Sequence, residues 1–184
     1  HASFLITAPA AESEVKLADT GYLPIANVLQ NEAFSPLADG QYKEVKISGS
    51  KGQVPFSGFL SGLAPAFAAL GVGDWMEDDF TALLYYDANG VWPIYIAKLK
   101  NGISPDAVKS SIQRLEGVLD LANFYLSSPG SFGQFKDGKA ANYATRYTAG
   151  SQPGAAFNYG VAGKYLIIST SYSGLNGTLP LLGL

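Results

Sequence analysis

Between Phe80 and Lys100 the chain reads FTALLYYDANGVWPIYIAKLK, two apolar runs on either side of Asn89-Gly90. Asn-Gly tolerates φ > 0 at both central positions of a tight turn. The pattern therefore predicts a β-hairpin of Phe80–Asp87 and Val91–Lys100. A second Asn-Gly, at 101–102, ends it. Pro93 has no N–H to give a ladder, which predicts a strand edge or a bulge there. Ser104 then suits an N-cap, Pro105 the first helical position, and Asp106 the positive end of the helix dipole. Val108, Ile112, Leu115, Leu119, Ala122 and Leu126 recur at 4-3-4-3-4 spacing. That stripe predicts one long amphipathic helix, with Lys109, Gln113, Glu116, Asp120 and Asn123 on its wet face. Gly117 inside it costs about 1 kcal/mol against Ala. Ser127-Ser128-Pro129-Gly130 stops it. A hairpin under a helix is the smallest unit here that buries a core.

The flanking segments are read the same way. Phe4 and Ile6 predict a short strand in His1–Thr7. Pro9, Gly21, Pro24 and Pro36 punctuate Ala8–Asp39, leaving room only for a short helix in IANVLQNEAF. Gln41–Ser48 alternates and predicts a strand with one exposed face. Pro55–Gly71 is the most apolar stretch. It predicts a helix with Pro65 in its first turn, Leu63, Phe67 and Leu70 on one face, and Gly71 just past its end. Asp137-Gly138 predicts a turn. Ala141–Ala149 sets Tyr143, Thr145 and Tyr147 against Ala144, Arg146 and Thr148. Ala155–Tyr159 and Lys164–Thr170 flank GVAG as a further hairpin. Ser173–Leu182 closes with a short helix broken by Pro180. Strands joined by short turns imply antiparallel pairing. The expected architecture is a single α+β domain over residues 1–184, an antiparallel β-sheet with helices packed mainly on one face.

Composition narrows the chemistry. The 184 residues are 47% hydrophobic and 15% charged, with a net charge of -3. Such a chain can bury a sizeable core and is not disordered. Twelve basic residues with no cluster give phosphate little to bind, so nucleic acid is not an expected partner. There is no cysteine, hence no thiol nucleophile, disulfide or thiolate metal site. Residues 52–73 and 165–184 carry no charged side chain and are about the length of a membrane span. Gly, Pro and polar residues interrupt both, so buried core is the expectation.

Candidate chemistry is sparse. No G-x-S-x-G elbow, Walker A or G-x-G-x-x-G occurs, and Ser48-Gly-Ser-Lys51 matches S-x-x-K without the motifs that should follow it. The one histidine is His1, so no Ser-His-acid triad forms without it. Asp74, Glu77, Asp78 and Asp79 are the one acid cluster. Carboxylates at this density can bind Ca²⁺ or act as a glycosidase pair, and otherwise form a solvated acidic turn. Tyr85, Tyr86, Trp92, Tyr95, Tyr143, Tyr147 and Tyr159 lie on strands, where some face outward to stack on sugars or anchor an interface. Arg146, flanked by Tyr143 and Tyr147, is the best polar recognition residue. With Trp92 these form the expected ligand-binding set. No cofactor is implied.

Two resemblances bear on place and ligand. The opening HASFLITAPAAESEV resembles the start of periplasmic copper-binding proteins of the CopC kind. This implies copper at His1, although those families use a further His that this chain lacks. DWMEDDFTALLYYDANGVWPIYIAKLK and GAAFNYGVAGKYLIISTSYSGL resemble uncharacterised bacterial extracytoplasmic domains that sit behind a membrane anchor. That implies a periplasmic or cell-surface location, with the anchor in a segment outside this chain. The expectation is a non-catalytic extracytoplasmic module that binds or scaffolds a protein or carbohydrate partner. The alternatives are a carboxylate-dependent hydrolase on glycans or cell-wall polymer, using Asp74, Glu77, Asp78 or Asp79, and copper binding through His1.

Overall fold

A computed structural model of the protein describes residues 1–50 and 52–184. In chain order the strands are β1 (Ala11–Leu17), β2 (Tyr42–Gly49), β3 (Gly52–Gln53), β4 (Met76–Asp87), β5 (Gly90–Leu99), β6 (Lys136–Ala140), β7 (Tyr143–Ala149), β8 (Ala156–Ala162) and β9 (Tyr165–Ser169). They form one sheet in the spatial order β1-β2-β4-β5-β9-β8-β7-β6, with β3 beside β2. The fold is α+β and the sheet mostly antiparallel. The exception is β1, which runs parallel to β2. A parallel pair needs a crossover, and helix α1 (Tyr22–Ala33) supplies it.

The expected hairpin is β4–β5, near the middle of the sheet. Its register runs from Asp87↔Gly90 to Met76↔Leu99. Its turn differs from the Asn-Gly expectation. The central residues are Ala88 and Asn89, and neither has positive φ. Asp87 holds the turn instead: its Oδ1 accepts from the backbone N–H of Asn89 (2.8 Å) and Gly90 (3.1 Å) and from Trp92 Nε1 (2.9 Å). Pro93 is buried inside the sheet rather than at its edge. It lies just past the last β5–β9 pair, Ile94↔Ser169, where the ladder no longer needs its N–H. Its carbonyl accepts from Thr170 N (3.1 Å) and Oγ1 (2.8 Å).

Helices lie mainly on one face. Helix α2 (Phe56–Leu63) buries Phe56, Phe59, Leu60 and Leu63, the i, i+3, i+4, i+7 face. Phe59 packs on Phe80 and Tyr95 at ring-centroid distances of 4.7 and 5.3 Å. Pro65 opens a 3₁₀ turn over 65–70, and Gly71 closes it at φ 65°. Helix α3 (Val72–Trp75) leads into β4. Helix α4 (Pro105–Gln113) starts at the Ser104 cap, with Pro105 and Asp106 as expected. The opposite face carries α5 (Tyr172–Leu181) and the N-terminal arm. Tyr42 donates to Gly174 O at 3.0 Å, Ile6 N to Leu181 O at 2.8 Å, and Phe4 N to Thr81 Oγ1 at 3.2 Å.

Several expectations fail for one reason, tertiary contact outweighing local pattern. The helix from 105 stops at Gln113, and only a 3₁₀ turn, 121–124, follows. Glu116 leaves the wet face for two partners on the sheet, and Gly117 gives the helix no reason to continue. Phe4–Ile6 is an arm rather than a strand, and β1 is Ala11–Leu17. Strand β2 is covered on both faces, with Lys43 and Glu44 both buried. Asp137-Gly138 lies within β6, and the turn falls at Ala141-Asn142. Ala141 carries the one positive φ of a non-glycine among the described residues, 48°.

Two substitutions separate these constraints. A Cβ on Gly62, in α2, would sit 1.9 Å from Thr20 O and 2.9 Å from Ile25 Cδ1. Gly62→Ala is expected to lose about 3 kcal/mol or more by denaturant unfolding. Ala141→Gly relieves a left-handed alanine and is expected to gain about 0.5–1 kcal/mol. A neutral Gly62→Ala would contradict the α1–α2 packing described here.

Candidate functional site

Strand β7 divides the expected ligand set. Side chains alternate along a strand. Tyr143, Thr145 and Tyr147 therefore face α5, while Arg146 faces the other helices. The three expected residues do not form one site. Tyr143 is half-buried against Leu175 and Leu179 of α5. Trp92 is 3% exposed, its indole bonded to Asp87 and edge-on to Tyr125 at 6.2 Å. That leaves Tyr147 at the edge of an open groove.

The groove lies over β6, β7 and β8 and holds about 380 Å³. Its lining includes Thr145, Tyr147, Asn158 and Tyr172. The register builds it. Thr145 sits between Gly138 and Gly160, so the floor carries one small side chain where three strands meet. Tyr147 pairs with Asn158 and leans across Gly138, where an added Cβ would lie 2.8 Å from its ring. Tyr172 opens α5 and is 50% exposed; its hydroxyl donates to Lys139 O at 3.1 Å, which braces the ring as a wall.

Two atoms of the floor are anomalous. Thr145 Oγ1 and Asn158 Oδ1 are buried and have no hydrogen-bond partner. Asn158 Nδ2 donates to Ala156 O at 2.7 Å, which turns the amide oxygen away from that bond. A buried polar atom without a partner costs about 1–3 kcal/mol, so pairs of them are uncommon. The sequence offered one signal for Asn158, a lone amide within the apolar strand AFNYGVA. Thr145 and Tyr172 gave none, because their role comes from cross-strand register.

On the opposite face Arg146 is locked. Its Nε and one terminal nitrogen donate to the two oxygens of Glu116 at 2.8 and 2.6 Å, and the other terminal nitrogen reaches Asp137 at 3.2 Å. Tyr159 donates to Glu116 Oε1 at 2.6 Å. The Glu116 contact raises the Arg146 pKa above its ordinary value. Burial, then Glu116, raises that of Tyr159. Arg146 stays a cation and Tyr159 stays a phenol, so neither can serve as a base. A cleft of about 650 Å³ opens beside them, lined by Glu116, Asp120, Phe132 and Phe135 among others.

The acid cluster is dispersed. Residues 77–79 form an irregularity between Met76↔Leu99 and Phe80↔Ala97. Glu77 takes Lys98 at 2.7 Å, Asp78 is exposed, and Asp74 lies back in α3. Asp79 receives the arm: its Oδ1 lies 2.6 Å from His1 Nδ1, and its Oδ2 accepts from Ala2 N at 2.9 Å. The other ring nitrogen, His1 Nε2, meets the buried Glu44 Oε1 at 3.1 Å. None of the grooves described above is lined by Asp74, Glu77, Asp78 or Asp79. Among the described residues no three His, Asp or Glu side chains converge to hold a metal ion. Both nitrogens of His1 face carboxylates, which suits an imidazolium rather than a ligand. Lys51 of the S-x-x-K match lies outside the described residues.

Two predictions follow from the charged contacts. Arg146→Ala strips both oxygens of a mostly buried Glu116 of their cation and is expected to cost about 2 kcal/mol, read by urea unfolding. An Arg146→Ala, Tyr159→Phe double-mutant cycle should show non-additive losses through the shared carboxylate. For His1, Glu44 raises the folded pKa above the ordinary value, with Asp79 adding and burial opposing. The stabilisation is then full below about pH 6.5 and lost as pH rises through the raised folded value. The stability gap between the native chain and His1→Gln should be widest below about pH 6.5 and close as pH rises through the raised folded value. A gap that grows with pH would contradict the clasp.

Comparison with family profiles, curated proteins and solved structures finds no match, so the reading of these sites rests on their geometry alone.

Proposed function

We propose that this chain is a non-catalytic binding module whose ligand seat is the groove over β6–β8. One observation carries the reading: two residues that line an open groove, Thr145 and Asn158, each hold a buried polar atom, Oγ1 and Oδ1, without a partner. Ser13 Oγ, Tyr125 Oη and Glu44 Oε2 also lack partners, but none of them lines a groove described above. The groove falls within the usual 300–1,000 Å³ of ligand sites and has two aromatic walls, Tyr147 and Tyr172. The hydrolase alternative gains no support from carboxylates that pair with Lys98 and His1 rather than with each other.

We place the module outside the cytoplasm, with a protein or carbohydrate partner. Support comes from the low charged fraction and the resemblance to anchored extracytoplasmic domains. No helix among the described residues is long and apolar enough to cross a membrane. An anchor would lie in a segment outside this chain.

A thermal-shift screen against sugars, peptides, amino acids and nucleosides tests the reading. A ligand at a hundred times its Kd raises native stability by about 2.7 kcal/mol. The expected result is at least one such shift, lost in Tyr147→Ala. A shift that survives Tyr147→Ala would move the site elsewhere, and turnover of any compound would overturn the non-catalytic assignment.

A further inference from the structure

We infer that the groove over β6–β8 is a saccharide subsite that takes one neutral sugar ring. The inference rests on the binding-module reading above and narrows it to a ligand class.

The floor dictates what can sit on it. Asn158 Nδ2 is committed to Ala156 O, so the free group is the carbonyl oxygen, which only accepts. The ligand must bring a donor to that point. Sulfate and carboxylate bring only acceptors and are repelled there, and a phosphate O–H comes with two or more anionic oxygens facing the same carbonyl. An ammonium could donate, but it would leave water for a single neutral carbonyl, at a desolvation cost far above that of a hydroxyl. No charge offsets this. The two charged residues that border the groove, Asp137 and Lys139, flank Gly138 on β6 and alternate toward the face of Arg146, which Asp137 meets at 3.2 Å. The groove is therefore built for a neutral donor.

Thr145 Oγ1 adds a second requirement. It is one step diagonally across the sheet from Asn158, and a hydroxyl both donates and accepts. Neighbouring hydroxyls on one ring, one donating to Asn158 and one exchanging with Thr145, satisfy both atoms at once. The walls fit the rest of such a ligand. Tyr147 and the braced Tyr172 offer apolar ring faces, which suit the C–H face of a sugar. About 380 Å³ gives room for one ring rather than an extended polymer. A peptide adding to the sheet would use the free edge of β6, which does not reach the two floor atoms.

The test is a ¹H–¹⁵N NMR titration of the whole chain with glucose, N-acetylglucosamine and their short oligosaccharides, and in parallel with a neutral tripeptide amide. Thr145→Val removes the hydroxyl at nearly constant shape, and Tyr172→Ala removes an exposed wall; unchanged spectra of the free variants show that the fold is kept. The expected result is saturable binding of a saccharide with shifts at Thr145, Asn158 and Tyr172, weakened about five- to tenfold by either substitution. Saccharide binding that neither substitution weakens overturns the subsite. Peptide binding at those residues with no saccharide binding overturns the saccharide class and leaves the binding groove standing. No perturbation at those residues by any probe overturns both.

Discussion

The central strands have apolar side chains on both faces, and the rest of the molecule follows from the need to cover them. In β4, β5 and β9 nearly every residue from Phe80 to Tyr86, from Trp92 to Ala97, and from Tyr165 to Ser169 is buried. One helical layer cannot achieve that. Helices α1, α2 and α4 cover the face of Phe80 and Tyr95, where Phe59 fits between the two rings. Helix α5 and the N-terminal arm cover the face of Tyr42 and Ile94, and Gly174 lets α5 approach both Tyr85 and Ile94 closely. A low charged fraction is the compositional result of a sheet buried on both sides.

The same constraint makes polar residues on the sheet informative. Burial is costly for them unless they find partners. Most do. Lys43 pairs with Glu32 at 2.8 Å, Arg146 and Tyr159 share Glu116, and Glu44 meets His1. These contacts hold segments down: the end of α1, the loop after α4, and the arm. Toward β6 the cover thins, because α5 reaches over the sheet only as far as Tyr172. There Thr145 Oγ1 and Asn158 Oδ1 remain without partners beside an open groove.

The sequence displayed what local chemistry controls. Ser104-Pro105-Asp106 specified the start of α4, Pro65 and Gly71 bounded their turn, and the two apolar runs flanking Asn89-Gly90 specified the central hairpin. What it hid depends on distant partners. Helix α4 ends early because Glu116 is drawn to Arg146 and Tyr159, thirty and forty-three residues away. Strand β1 was hidden because AESEVKL shows charge alternation that suits any exposed segment, and only its parallel partner β2 makes it a strand. The aromatic set was half legible. Tyr147 borders the groove, but Trp92 is core, and the neighbours Tyr147 and Arg146 point to opposite faces. Thr145 acquires its place only from the glycines in register on both sides.

The most direct measurement is the unfolding free energy of Thr145→Val in the ligand-free protein. If the hydroxyl serves a ligand and not the fold, the variant should match the native chain or exceed it by up to about 1 kcal/mol, since a buried unpartnered group is removed. A loss of about 1 kcal/mol or more would mean that the hydroxyl holds the sheet together, and would contradict the reading of the groove floor as a ligand seat.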